Sequence, residues 1–354
     1  MSEEAQLRSS TVTVVMIFFN GEEFIEAAIS SVFSQTYPAW ELLLVDDGST
    51  DRSGDIARRY AASYPGKVRH LKHPQGENRG MSASRNLGLR EGIGGYVAFL
   101  DCDDVWHAEK LQRQVRVLTQ NPKVDLVYNA TWCWYSWQEG DEHRRRDHAR
   151  PLGIQPERVV PPPGMIPLFL LDRGQTPATC SVLIRRSVFE SVGGFEEGFR
   201  GLYEDQVFFY KVFLNHIAYI MDGHWDFYRQ HTRSCCYLAS AGAGLTVYHP
   251  AHGRFLAWFR SFLAQQPVSH PEISGALNEA CRPFDFPVLF RIERMTQAAW
   301  TFVRNVASGD RRRRNSALTG VRGYFILARR RAVGRVLPPA VHQRLRAIRD
   351  AIFH

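Results

Sequence analysis

The chain has 354 residues, 44% of them apolar and 23% charged, which fits a folded protein and excludes a disordered or fibrous one. No apolar run reaches the roughly 18–20 residues that span a bilayer, and the opening MSEEAQLRSS is too acidic and polar for a signal peptide. The formal charge of +8 is uneven: residues 310–354 carry twelve Arg against two Asp, so the rest is net −2 and lacks the basic stripe of a nucleic-acid-binding domain.

In chain order, TVTVVMIFF (11–19) is a β-branched and aromatic run, expected as a strand buried on both faces. Residues 22–35 place Phe24, Ile25, Ala28, Ile29, Val32 and Phe33 at helical spacing. A second strand (41–45) runs into the turn DDGS, and a helix follows over about 52–64. KVRHLKH is a third strand, SASRNLGLREG a helix closed by Gly92, and YVAFL (96–100) a fourth strand. This repeated β-α unit predicts a doubly wound, mainly parallel sheet, with ligands at the carboxyl ends of its strands.

Further on, 110–120 reads as a helix, 124–135 as one strand and 138–164 as a mobile surface loop. A strand (180–186), a short helix (187–195), a helix (204–214) and a strand (217–222) follow, and from about 243 the pattern is helical. The six cysteines show no CxxC spacing and are expected as reduced thiols in a cytoplasmic protein.

Four clusters bear on chemistry, each with a plainer alternative. Asp46-Asp47-Gly48-Ser49 offers carboxylates to a base or ribose, or is an Asp-Gly turn with its own hydrogen bonds. Asp101, Asp103 and Asp104 crowd like charges at a strand end; they suit a hard divalent cation, or cap the next helix. Glu204-Asp205 opens an apolar helix, as favourable N-terminal charge or as a general base. Arg229 and His231 alternate on an extended segment and share a side, facing phosphate or metal, or merely solvent.

Order and spacing add what no single cluster supplies. The segments VVMIFFNGEEFIEAAISSVFSQTYPAWELLLVDDGSTD, ENRGMSASRNLGL, YVAFLDCDDVW and GGFEEGFRGLYEDQVFFYKV together resemble the family 2 inverting glycosyltransferases over roughly residues 11–235. The C-terminal third is not covered.

The resemblance implies an α/β GT-A fold (nucleotide-diphospho-sugar transferase, Rossmann-like), with a mixed, mainly parallel sheet flanked by helices. A catalytic domain would cover 1–240, with a donor half at about 11–105 and an acceptor half at about 124–240. A helical extension would follow over 241–354. The implied reaction is metal-dependent inverting transfer of a sugar from a nucleoside-diphosphate sugar, UDP-linked, to a saccharide or lipid-linked saccharide hydroxyl. Polysaccharide or glycolipid biosynthesis would be its setting.

By the same resemblance Asp47 holds the base and Asp46 braces the turn; Phe19 and Glu22 line the base pocket, and Arg85 and Asn86 approach base and diphosphate. Asp101 lies near the ribose, Asp103 and Asp104 with His231 hold Mn2+ or Mg2+, Arg229 closes over the phosphates, and Asp205 is the base. Trp132, Trp134 and Trp137 offer a sugar-stacking face or core packing, and the loop 138–164 with residues 165–180 shapes the acceptor side.

The arginine-rich stretch 311–353 reads as a basic amphipathic segment for an anionic membrane surface, for a partner, or for its own domain, which places the enzyme at the inner face of a membrane. Two other classes compete. A nucleotidyltransferase would show a Gly-rich basic loop where NGEEF stands, and a non-catalytic sugar-nucleotide-binding scaffold would lack Asp103 or Asp205, both present.

Overall fold

The computed structural model describes residues 9–240 and 249–286. The chain divides into two units, Met1–Ala280 and Cys281–His354, and both sheets belong to the first. The arginine-rich stretch 311–353 and most of the expected extension lie outside the described residues.

Strands β1 (Val12–Phe18) and β2 (Trp40–Asp46) are buried at every position, as their unbroken apolar runs require. With β3 (Val68–Lys72) and β4 (Tyr96–Asp101) they form a parallel set in the order β3-β2-β1-β4. The register brings Phe18 opposite Asp46, Asp46 opposite Lys72, and Ile17 opposite Asp101. The strand ends that carry the acidic motifs thus share one edge.

Helices α1 (Ile25–Phe33), α2 (Ser53–Ser63), α3 (Met81–Glu91) and α4 (Lys110–Gln120) cover the sheet. On α1, Ile25, Ala28, Ile29 and Val32 are the buried face, and each large apolar side chain there contributes about 1.5–3 kcal/mol by leaving water.

Beyond β4 the chain departs from the expected pattern. A two-residue strand, β5 (Val105–Trp106), follows the acidic turn. The single strand expected over 124–135 is two, β6 (Leu126–Asn129) and β7 (Trp132–Trp134), which enter different sheets. The stretch expected as a loop, 138–164, holds α5 (Asp141–Arg144), β8 (His148–Ala149) and β9 (Arg158–Val160). Then come α6 (Ile166–Leu170), β10 (Leu183–Arg185), α7 (Arg186–Val192), α8 (Glu204–Asn215), β11 (Ala218–Met221), β12 (Asp226–Arg229), α9 (Cys235–Ser240), α10 (Pro250–Ala264) and α11 (Pro271–Asp285).

The main sheet has eight strands, β3-β2-β1-β4-β10-β6-β11-β9, in which β10 runs antiparallel to both β4 and β6. A second sheet, β5-β12-β7-β8, lies beyond the acidic turn. The two are tied by buried polar bonds: Asn129 Nδ2 at the end of β6 donates to Asp226 Oδ1 at the start of β12 at 2.6 Å, and Gln114 Nε2 of α4 donates to Asn129 Oδ1 at 3.2 Å. Satisfied groups of this kind fix one relative arrangement, because breaking any of them strands a buried polar partner. Among the described residues no helix is long and apolar enough to cross a membrane.

Candidate active site

The turn after β2 is built by its own side chains. Asp46 Oδ1 accepts from the Ser49 amide at 2.8 Å, and its Oδ2 lies 2.9 Å from Lys72 Nζ. Burial works against the Asp46 charge, but His70, Lys72 and Ser49 outweigh it and hold its carboxyl well below the usual range. Asp46 is therefore the brace of this turn. Gly48 has φ +83°, and a Cβ there would lie 2.8 Å from Gly76 O, so only glycine fits. Asp47, one residue before it, accepts from the amides of Arg79 at 2.7 Å and Gly80 at 3.0 Å and so fixes the entry to α3.

The loop after β1 lies alongside. Phe19 is 51% exposed. Asn20 is pinned from both sides: its amide donates to Ser49 Oγ and its Oδ1 accepts from the Thr50 amide. Glu22, on the same loop, pairs with Arg52. Its carboxylate accepts from both the Arg52 amide and the Arg52 Nε at 3.1 Å, and those bonds hold its pKa below the ordinary value. Glu22 ties this loop to α2.

Arg85, on α3, is 2% exposed and forks between two carboxylates: Nη2 donates to Asp101 Oδ1 at 2.8 Å and Nη1 to Glu204 Oε1 at 2.5 Å. Burial opposes its charge, yet Asp101 and Glu204 raise its pKa above the usual arginine value. In its neighbour Asn86 the amide Nδ2 donates to Phe195 O and the Oδ1 accepts from Phe195 N, so the side chain fastens the 194–197 segment to α3.

The acidic turn after β4 separates into three roles. Asp101 holds Arg85 and accepts from the Thr179 hydroxyl at 3.3 Å. Asp103 keeps its side chain partly open, with Oδ2 2.9 Å from His231 Nε2. Asp104 is 1% exposed, and its Oδ1 accepts the Arg229 amide at 2.9 Å. Burial, then the nearby charges of Asp103 and Asp101, push the Asp104 carboxyl well above its ordinary range. Asp104 therefore ties the acidic turn to β12 from inside, through the Arg229 amide. Among the described residues no three His, Cys, Asp or Glu side chains form a cluster able to hold a metal.

Arg229 Nε donates to Asp103 O at 2.7 Å, and its guanidinium lies among the rings of Trp134 at 4.7 Å, Phe24 at 5.0 Å and Trp137 at 5.0 Å. Burial lowers its pKa. This caged arginine holds the acidic turn in place instead of reaching outward. Trp134 and Trp137 serve the cage, while Trp132 stacks on His224 at 4.4 Å. His231 packs on Phe24 at 4.7 Å, so the same ring steadies both residues.

Glu204 and Asp205 open α8 after Tyr203, whose φ of +72° is unusual for a residue with a side chain. Tyr203 is held there by stacking on His252 at 5.2 Å and Phe255 at 5.4 Å of α10. Burial raises the Glu204 carboxyl to about 7 against the pull of Arg85, and burial raises Asp205 too, again opposed by Arg85. Asp205 Oδ1 accepts its own helix amide from Gln206 at 2.8 Å. Sequence marks Glu204 only as one member of the Glu204-Asp205 pair, and nothing local marks Thr179 or Phe24 as site residues.

Asp47, Asp101 and Asp103 thus follow or end strands of the main sheet, His231 follows β12 of the second, and Arg85 bridges Asp101 to the start of α8. Residues 13–193 match Glycosyl transferase family 2. The chain belongs to that family.

This glycosyltransferase is 29% identical to EpsE of Bacillus subtilis (strain 168), assigned as a glycosyltransferase, over 223 residues that make up 57% of this chain and 72% of EpsE. Matches to several other curated glycosyltransferases span less than half of those relatives' own length. The fold is GT-A. S. aureus TarS 1-349 in complex with UDP-GlcNAc superposes with a TM-score of 0.56 at 18% identity, covering 78% of this chain and 73% of that one. The mannosyltransferase PcManGT from Pyrobaculum calidifontis, in complex with GDP-Man and Mn2+, gives 0.55 at 17% identity, covering 89% and 84%.

Proposed function

We propose that this glycosyltransferase moves a sugar from a UDP-linked donor to an acceptor hydroxyl by one displacement that inverts the anomeric carbon. The observation that carries the reading is the Arg85 fork. It binds the carboxylate of the strand-end turn, Asp101, to Glu204, whose neighbour Asp205 starts α8. Donor-side and acceptor-side carboxylates are therefore set by one buried cation.

On this reading Asp47 and Phe19 frame the base, and Asp101 lies toward the ribose. Asp205 accepts the acceptor's proton as the acceptor oxygen bonds to the anomeric carbon and the bond to the diphosphate breaks. Burial raises its carboxyl above the ordinary aspartate value, which makes it a better proton acceptor than a solvated aspartate. The Asp103 carboxylate, partly open, and the His231 imidazole, with Oδ2 and Nε2 2.9 Å apart, are of the chemistry that would hold Mn2+ or Mg2+. When bound, that ion neutralises charge growing on the leaving diphosphate. The complexes of TarS with UDP-GlcNAc and of PcManGT with GDP-Man and Mn2+ support a nucleotide-sugar donor and a metal.

The acceptor is a saccharide or lipid-linked saccharide of polysaccharide or glycolipid synthesis, and the arginines of 311–353 suit an anionic membrane surface near it. The test is release of nucleoside diphosphate from a panel of sugar nucleotides, with Mn2+ or with EDTA. Metal-dependent release from a UDP-sugar, abolished in Asp103→Ala, is expected. Binding of no sugar nucleotide with or without metal would refute the donor site.

A further inference from the structure

We propose that Arg150 reads the acceptor: its guanidinium grips an oxyanion, phosphate or carboxylate, that the acceptor carries beside Asp205. The proposal rests on the glycosyl-transfer reading above and adds the chemical class of acceptor.

Strand pairing puts Arg150 where it can do this. β8 pairs antiparallel with β7, Trp132 opposite Ala149 and Cys133 opposite His148. The Arg150 amide extends the ladder by donating to Thr131 O at 2.8 Å. Opposed residues share a face, and alternation puts Thr131 and Cys133 on the same one. Tyr228 of β12 stands opposite Cys133, and its hydroxyl lies 3.4 Å from Cys236 Sγ. That face therefore looks toward the start of α9. Arg150 is near enough to Asp205 and Cys236 for its charge to favour their ionised forms, and no salt bridge joins it to Asp205.

The arginine is held with its fork free. Its Nε donates to Gln175 Oε1, and the Gln175 amide donates to Pro151 O at 2.9 Å. The two backbones run so close that a Cβ on Gly153 would lie 2.6 Å from Gly174 Cα. Four residues past Gln175, Thr179 bonds Asp101, so this strap joins Arg150 to the acidic turn. Among the described residues neither Nη of Arg150 has a hydrogen-bond partner and no carboxylate pairs with it. A planar guanidinium fixed at Nε with both Nη free matches a phosphate or carboxylate in bidentate fashion. An anionic acceptor beside Asp205 would be repelled by that carboxylate unless a cation faced it.

The test is calorimetric titration of the full chain, saturated with UDP and Mg2+, with glucose 1-phosphate, methyl glucuronide and methyl glucoside. The wild type is expected to bind an anionic probe at least about tenfold more tightly than methyl glucoside. Arg150→Ala should erase that preference, Arg150→Lys should keep part of it, and UDP affinity should stay unchanged in both. The better anionic probe distinguishes a phosphate from a carboxylate on the natural acceptor. Arg150→Gln, whose amide can still meet Gln175, guards against a folding loss. No anionic preference in the wild type overturns the proposal, as does a preference surviving in Arg150→Ala and Arg150→Gln, or equal loss of charged and neutral probes. Failure of UDP to bind the wild type would strike the donor reading instead, since the probe titration can be run without it.

Discussion

Arg85 and Glu204 lie 119 positions apart in sequence and meet at 2.5 Å in a site closed to water. With Asp101 on the other prong of the guanidinium, this contact joins the two carboxylate motifs into one unit.

The contact predicts a steep response to substitution. Arg85→Ala leaves Glu204 buried and unpaired and Asp101 without its cation, and should cost about 3–5 kcal/mol in urea unfolding. Arg85→Lys keeps the charge and loses the fork, so it should cost less stability while lowering donor turnover at least about tenfold. Equal stability of Arg85→Ala and wild type would contradict the pairing.

Glu204 predicts a pH dependence. Its carboxyl is raised from 4.5 to about 7 in the folded state. Between those values the folded chain keeps a proton that the unfolded chain releases, so stability from this group falls as pH rises from 4.5 to about 7. Glu204→Gln mimics the protonated form and removes that loss. Its melting temperature relative to wild type should therefore climb from pH 5 to pH 8, roughly by the equivalent of a kcal/mol or more. A flat difference across that range would show that Glu204 titrates normally.

The caged Arg229 predicts an effect on the metal without an effect on the base pocket. Arg229→Ala frees the Asp103 carbonyl and empties the Phe24, Trp134 and Trp137 cage. UDP binding in EDTA should be unchanged, while the gain in affinity on adding Mn2+ should shrink about tenfold. A wild-type gain would place Arg229 outside the turn's support.

Gly48 predicts a backbone effect. An alanine there meets Gly76 O at 2.8 Å and must adopt φ near +83°. The strain should cost about 1–3 kcal/mol and weaken UDP binding, because Asp47 is the next residue back. Thermal unfolding with and without UDP measures both.

Much of this was legible in the chain. The helix expected over 110–120 is Lys110–Gln120, and the first four strands lie within one or two residues of their apolar runs, since periodicity there reflects burial. The break between Asn129 and Trp132 was not legible, because aromatic and apolar residues continue through it and only pairing with different sheets divides it. Strands β8 and β9 have two and three residues, and pairing rather than propensity makes them strands. At the site, residue types and spacing are what single out Asp101, Asp103 and Asp205 as candidates. The split of roles within the acidic turn needed the geometry, since burial alone separates Asp104 from Asp103. For Glu22, Asn86 and Arg229 the geometry adds partners that the sequence did not name: Arg52, Phe195 and Asp103.

The proposed function stands or falls on a single displacement with Asp205 as base. Real-time proton NMR of the hydrolysis of a UDP-sugar carrying an α-linkage, run on the wild type and on Asp205→Asn, decides it. A single displacement predicts that the β-anomer of the free sugar appears first. A base role for Asp205 predicts that Asp205→Asn binds UDP with unchanged affinity but hydrolyses the donor at least about a hundredfold more slowly. The α-anomer appearing first, or an undiminished rate in Asp205→Asn, would contradict this mechanism.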